Sequence, residues 1–240
     1  MIFRFHRRLI ELNVKFAPSL MTMNLKNFNE EISFLSDKVD SFHVDIMDGK
    51  FVPNLTLSPW FIEQVKTVTD TPISAHLMVE DPAFWVDELI KVNCEVICFP
   101  AERANGIAFR MIDKIHRAGL KAGVVLNPET QISEILPYVA DVDKVTVMTV
   151  DPGFAGQKFV ASALEKIKQL RQLRDENGYG YEIEMDGSSN RKSFKRIHDA
   201  DPDIYIIGRS GLFGLEDNIE DSWNEMTKNF YDATGIPVTE

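Results

Sequence analysis

The chain has only two cysteines among its 240 residues, Cys94 and Cys98. A disulfide framework is therefore excluded as the basis of its stability, and a chain of this length can bury a full core without one. The two thiols lie in one apolar run, "CEVICF", an even number of residues apart. On a strand they would face the same side, and they read as buried, reduced thiols of a cytoplasmic protein, with a disulfide or metal pair as the alternative. There is no apolar run of about 18 residues, so no segment reads as a membrane-spanning helix. Basic residues are in deficit: 26 Lys and Arg stand against 37 Asp and Glu, for a formal net charge of −11. Nucleic acid is a poor general partner for such a surface, because a phosphate backbone needs basic patches. A phosphorylated small molecule is not excluded, since one local pocket can oppose the overall sign. Low-complexity segments and linkers are also missing.

What the sequence does contain is alternation. Short β-branched or apolar runs occur at Val14–Ser19, Ser41–Ile46, Ile73–Val79, Glu95–Phe99, Lys121–Leu126, Lys144–Val150, Tyr181–Asp186 and Ile204–Gly208. Between them lie stretches of helical spacing, at Asn24–Ser36, Ser58–Val68, Pro82–Val92, Gly106–Ala118, Ala161–Glu176, Asn190–Ala200 and Asn218–Tyr231. Asp81-Pro82 reads as an N-cap followed by proline at the first helical position, and Gly119 as a helix C-terminal glycine. Eight strands alternating with helices at a period of roughly 25–30 residues predict a parallel α/β protein. A doubly wound sheet usually opens with a glycine-rich turn after its first strand. Here the first strand runs into "APSLMTMN", which has no glycine. The pattern therefore favours a (β/α)8 TIM barrel over residues 14–240. Residues 1–13, "MIFRFHRRLIELN", read as an N-terminal extension; they lack both the long apolar stretch and the small-residue cleavage site of a secretory signal.

Polar residues sit where a barrel places its site, at the carboxyl ends of strands. His43 and Asp45 are two apart and share a face of the second strand. Ser19 ends the first strand, His76 lies in "ISAHLMV" on the third, and Asp186 closes the seventh. The two histidines and two aspartates each have an ordinary alternative: His43 a satisfied core histidine, Asp45 a turn former, His76 a packing residue, Asp186 a cap. Together, two imidazoles and two carboxylates suit one divalent cation (zinc, iron, manganese or cobalt), and the donor set alone does not choose among them. Asp48, three residues from Asp45, faces away on an extended strand and reads as a turn residue of "MDGKFVPN". Glycine-rich loops follow the last three strands: "DPGFAGQ" with Gly153, Phe154, Ala155 and Gly156, "DGSSN" with Gly187 and Ser188, and "GRSGLFG" with Gly208, Arg209 and Ser210. Such loops, with helix N-termini behind them, suit an anion such as a phosphate. Met47, Met78 and Met148 flank the polar centre, either as core packing or as an apolar lid.

The segments "PSLM", "FHVDIMDGKFVPNLTLSP", "HLMV", "GVVLNPET", "VTVMTVDPGFAGQKF", "EIEMDGSSN" and "IIGRSGLF" together resemble the ribulose-phosphate 3-epimerase family, from about Val14 to about Trp223. "NLTLSP", "DGSSN" and "SGLF" look closest to its D-allulose-6-phosphate 3-epimerase branch. The resemblance implies a (β/α)8 barrel that inverts C3 of a ketose phosphate. A divalent metal ion would be held by His43, Asp45, His76 and Asp186, with Asp45 and Asp186 as the acid/base pair. Ser19 and His76 would be at the substrate, and its phosphate at the three glycine loops. It also implies a homo-oligomer. The substrate is expected to be D-allulose 6-phosphate, with D-ribulose 5-phosphate as the alternative and a non-catalytic sugar-phosphate binder as a remote one. One position departs from the family pattern: Pro100 stands where a histidine usually ends the fourth strand.

Overall fold

The structure is a computed structural model and describes residues 14–238; the expected extension at residues 1–13 lies outside them. Eight strands form one all-parallel sheet: β1 (Lys15–Pro18), β2 (Phe42–Met47), β3 (Ile73–Met78), β4 (Val96–Pro100), β5 (Lys121–Leu126), β6 (Lys144–Met148), β7 (Glu182–Asp186) and β8 (Ile204–Ile207). The order β1-β8-β7-β6-β5-β4-β3-β2 runs around a barrel. Its seam lies between β1 and β2, where a single parallel bridge, Ser19 with His43, closes the ring. Below that bridge the Phe16 amide donates to the Asp40 carboxylate at 3.2 Å, and the Asp40 amide returns a bond to the Phe16 carbonyl.

Seven α-helices surround the sheet among the described residues: α1 (Phe28–Ser36), α2 (Pro59–Lys66), α3 (Pro82–Lys91), α4 (Ala108–Arg117), α5 (Leu164–Asn177), α6 (Phe194–His198) and α7 (Ile219–Thr234). The chain makes them for local reasons. The Asp81 carboxylate accepts from the Phe84 amide and Pro82 starts α3. In α4, Ala108, Met111, Ile112 and Ile115 recur at helical spacing and are the buried face. Gly119, at φ +77°, turns the chain out of it. The crossover from β5 to β6 has no α-helix, only 3₁₀ turns at Ile132–Glu134 and Val139–Asp141.

The strands have two different faces. Phe42, Val44 and Ile46 on β2 and Ile73, Ala75 and Leu77 on β3 pack outward against the helices in the main core. At the seam this layer is aromatic: Phe16 lies 5.8 Å from Tyr205, 6.3 Å from Trp223 and 5.2 Å from Phe230, ring centre to ring centre. These contacts join β1, β8 and α7, where the ladder between β1 and β2 is nearly absent. Truncating Phe230 to alanine would remove about 3–5 kcal/mol. The inward face carries two smaller clusters, one with Val96, Cys98 and Val125 and one of Ala17, Ile204 and Ile206, with a polar band running through it. Cys98 points inward while Cys94 precedes β4 and joins the outer core, so the two thiols do not share a face as the sequence spacing predicted. The cause is that β4 begins only at Val96. Burial pushes both thiols up, to about 12 and about 11, and keeps them protonated.

Candidate active site

Parallel neighbours in the ladder bring the polar strand ends together. Asp45 is in register with His76, and Met148 with Asp186. His43 Nε2 lies 3.2 Å from Asp45 Oδ1 and 3.5 Å from Asp186 Oδ2. His76 Nδ1 lies 3.4 Å from Asp45 Oδ1 and 3.3 Å from Asp186 Oδ2. The four residues each offer one donor atom, and all four atoms fall within 4.8 Å of one another. Ser19 Oγ donates to the other Asp45 oxygen at 2.7 Å, which aims Oδ1 at the two imidazoles. His43, Asp45 and His76 are buried and Asp186 is only partly exposed.

This cluster fits a divalent cation on two observations. The buried His76 Nδ1, at its centre, has no hydrogen-bond partner, although a buried nitrogen left unpaired is costly. The field is also that of a cation site. Burial pushes both imidazoles down, but the carboxylates outweigh it: His43 is raised, chiefly by Asp45, and His76 is pushed up to about 9 by the nearby Asp186 and Asp45 carboxylates. Burial likewise pushes Asp45 up, and the two imidazoles reverse it, holding the carboxyl far below its ordinary range. Positive charge is thus stabilised at this point whichever group carries it.

A cavity of about 300 Å³ opens above Asp45 and Asp186. Every residue expected at the substrate except His76 lines it: Ser19, Gly153, Phe154, Ala155, Gly156, Gly187, Ser188, Gly208, Arg209 and Ser210. His43 and His76 stand behind the two carboxylates. Met47, Met78 and Met148 line the floor beside them. Pro100 closes β4, buried and away from the lining. Sequence reasoning passed over Met21, Gln157 and Ser189, which line the cavity too. Ser189 belongs to the same "DGSSN" loop, so the run itself could have indicated it.

The glycine loops come close through backbone that only glycine allows. Gly187 has φ +121°, and a Cβ there would sit 2.7 Å from Val150. A Cβ on Gly211 would sit 2.1 Å from the Ser189 carbonyl oxygen, so the last two loops touch backbone to backbone. The expected helix N-termini contribute less than the sequence suggested. Helix α6 is five residues long and begins only at Phe194, while Arg209–Phe213 forms a single π-helical turn. Asp48 is a turn residue: Oδ1 accepts from the Lys50 and Phe51 amides and Oδ2 from the Glu80 amide, at 2.8–2.9 Å.

A family profile described as the Ribulose-phosphate 3 epimerase family matches residues 15–213. This chain belongs to the ribulose-phosphate 3-epimerase family. Its similar relatives include the ribulose-phosphate 3-epimerase of Bacillus subtilis (strain 168), 37 % identical over 206 residues covering 85 % of this chain and 94 % of that protein. The chloroplastic ribulose-5-phosphate-3-epimerase of Arabidopsis thaliana is 37 % identical over 207 residues, covering 85 % and 73 %. Among solved structures, a 3-hexulose-6-phosphate synthase superposes with a TM-score of 0.67 over 92 % of this chain and 100 % of that one. At 13 % identity that likeness concerns the fold alone. Membership of the epimerase family makes this chain an isomerase, a 3-epimerase of a ketose phosphate. No helix among the described residues is long and apolar enough to cross a membrane.

Proposed function

We propose that the protein is a D-ribulose-5-phosphate 3-epimerase whose acid/base pair is Asp45 and Asp186. The observation that carries the mechanism is the convergence of these two carboxylates on one imidazole nitrogen, His76 Nδ1, at the floor of the cavity. Inversion at C3 needs one group to take the proton and another to return one on the opposite face. Asp45 comes from β2 and Asp186 from β7, three strands apart around the ring, so the two carboxylates can flank a sugar carbon from different sides. His43, Asp45, His76 and Asp186 would hold the cation, which supplies Lewis acidity toward the C2 carbonyl and the enediolate charge when bound. Ser19 holds Asp45 in place, and the floor methionines exclude water from the reacting carbon. The loops around Gly153–Gly156, Gly187–Ser188 and Gly208–Ser210 take the phosphate through backbone amides, with Arg209 at the rim adding charge. Phosphate binding there orients C3 over the carboxylates.

The pentulose phosphate stands first because the similar relatives carry that name. The expectation of D-allulose 6-phosphate from the late loops becomes the second reading, supported by the "NLTLSP", "DGSSN" and "SGLF" segments. The test is kcat/KM of the purified, metal-supplemented protein on both sugars side by side. A clear preference for D-ribulose 5-phosphate is expected. Preference for the hexulose phosphate would reverse the order, and turnover of neither would sink both.

A further inference from the structure

Lys144 and Glu184 form an ion pair sealed inside the barrel. Lys144 Nζ lies 2.8 Å from Glu184 Oε1, with the two side chains 4 % and 0 % exposed. Lys144 Nζ also donates to Ser74 Oγ at 3.2 Å, and Thr146 Oγ1 donates to Glu184 Oε2 at 2.8 Å. Stability does not explain the pair. Desolvating two charges opposes their attraction, and apolar side chains of similar size commonly replace such pairs at no loss. Cys98, Val96 and Val125 already fill neighbouring inward space.

What the pair adjoins is His43. Glu184 Oε2 lies 3.9 Å from His43 Nδ1, a buried nitrogen with no hydrogen-bond partner. The opposite ring nitrogen, Nε2, is the one that faces Asp45 and Asp186. The contact is longer than a hydrogen bond and acts by orientation and charge. We propose that Glu184, held in place by Lys144 and Thr146, is a positioning residue for His43: it keeps the proton on Nδ1 and so turns the Nε2 lone pair toward the cation. This rests on the reading that the four-residue cluster holds a divalent cation. A carboxylate behind a metal-bound imidazole fixes its tautomer and raises its affinity for the metal. Glu184 precedes Asp186 by two on β7, so one strand face carries both a cation ligand and the group that orients another.

The experiment measures Zn²⁺ affinity, by competition with a chromophoric chelator, on three proteins. They are the wild type, Lys144→Leu/Glu184→Leu, and Lys144→Met/Glu184→Gln. The leucine pair is expected to keep the metal-free Tm and to lose zinc affinity by about 10- to 100-fold. The Gln/Met pair should recover only part of it, since the amide oxygen's dipole still faces Nδ1 but the carboxylate charge is gone. In parallel, ¹⁵N spectra of the zinc-loaded wild type should show His43 protonated on Nδ1, with that resonance shifted in the Gln/Met pair; an unshifted resonance overturns the positioning role if the leucine pair does not fold. Unchanged zinc affinity in a folded leucine pair overturns the positioning role alone, as does a His43 proton found on Nε2. A wild type that takes up no zinc overturns the cation reading and this inference with it.

Discussion

The Asn54 side-chain amide donates to the Gly153 carbonyl across 2.7 Å, joining the loop after β2 to the loop after β6. Beside it, Gly153 at φ +114° leaves a Cβ position only 3.0 Å from Val52, so the two loops interlock over the cavity. The loop proposed to take the phosphate is thus braced by the loop that follows His43 and Asp45.

Asn54→Ala should therefore act on binding more than on chemistry. Loss of one net hydrogen bond is worth ~1 kcal/mol, and KM for the ketose phosphate is expected to rise about fivefold with kcat nearly unchanged. Steady-state kinetics of the variant check this. A large fall in kcat at constant KM would argue against the bracing role.

Asp186→Asn removes one of the two proposed proton-transfer groups while keeping the side chain's shape. Epimerisation is expected to fall by about 10²–10⁴-fold, with the circular dichroism spectrum unaltered. Substantial turnover by this variant would exclude Asp186 as an acid/base group.

Exhaustive chelation should abolish activity, and zinc, cobalt, manganese or iron should restore it. A cation bound at the cluster would also stabilise the native state. At a free concentration 100 times its Kd the gain is about 2.7 kcal/mol, which for a chain of this size corresponds to roughly 5–10 °C in Tm. Calorimetry with and without added cation measures it.

Asp48 sets a pH dependence. Burial pushes its carboxyl up, but the Glu80, Phe51 and Lys50 amides outweigh it and hold it below the ordinary value of 3.8. A carboxyl depressed in the folded state stabilises above its unfolded value, and the contribution is lost as pH falls through the folded one. Wild type should thus be more stable than Asp48→Asn at neutral pH, with the difference shrinking as pH falls below about 4. Urea melts of both proteins across pH 2–7 test the sign.

Much of this was legible in the chain. The alternation of period-2 and period-3.6 segments is written residue by residue, because strand and helix stereochemistry decide locally which side chains share a face. Hence all eight strands fall within a few residues of their expected places, and Asp81-Pro82 and Gly119 mark helix ends as read. The spacing of His43 and Asp45 put both on one face, and the glycine loops stood after the right strands. Other features went unread or misread. Cys94 and Cys98 part because a strand begins two residues later than the apolar run, and the start of a strand depends on its neighbours' pairing. Helix α6 shrinks to five residues, Phe194–His198, against the expected Asn190–Ala200.

The sequence by itself determined the order of elements, the class of fold and the chemical types available at the strand ends. Tertiary structure alone decided which of those groups meet. His76 Nδ1 reaches both carboxylates through the stagger of β2, β3 and β7 around a closed ring, a distance that no local pattern encodes. The pair of Lys144 and Glu184 is of the same kind. Each looks like a surface charge in its own strand, and only closure of the barrel, completed at Ser19 and His43, turns both inward beneath the site. Local stereochemistry orients a side chain within a few residues, whereas closure depends on pairings between strands far apart in the chain, and those set the geometry of the site.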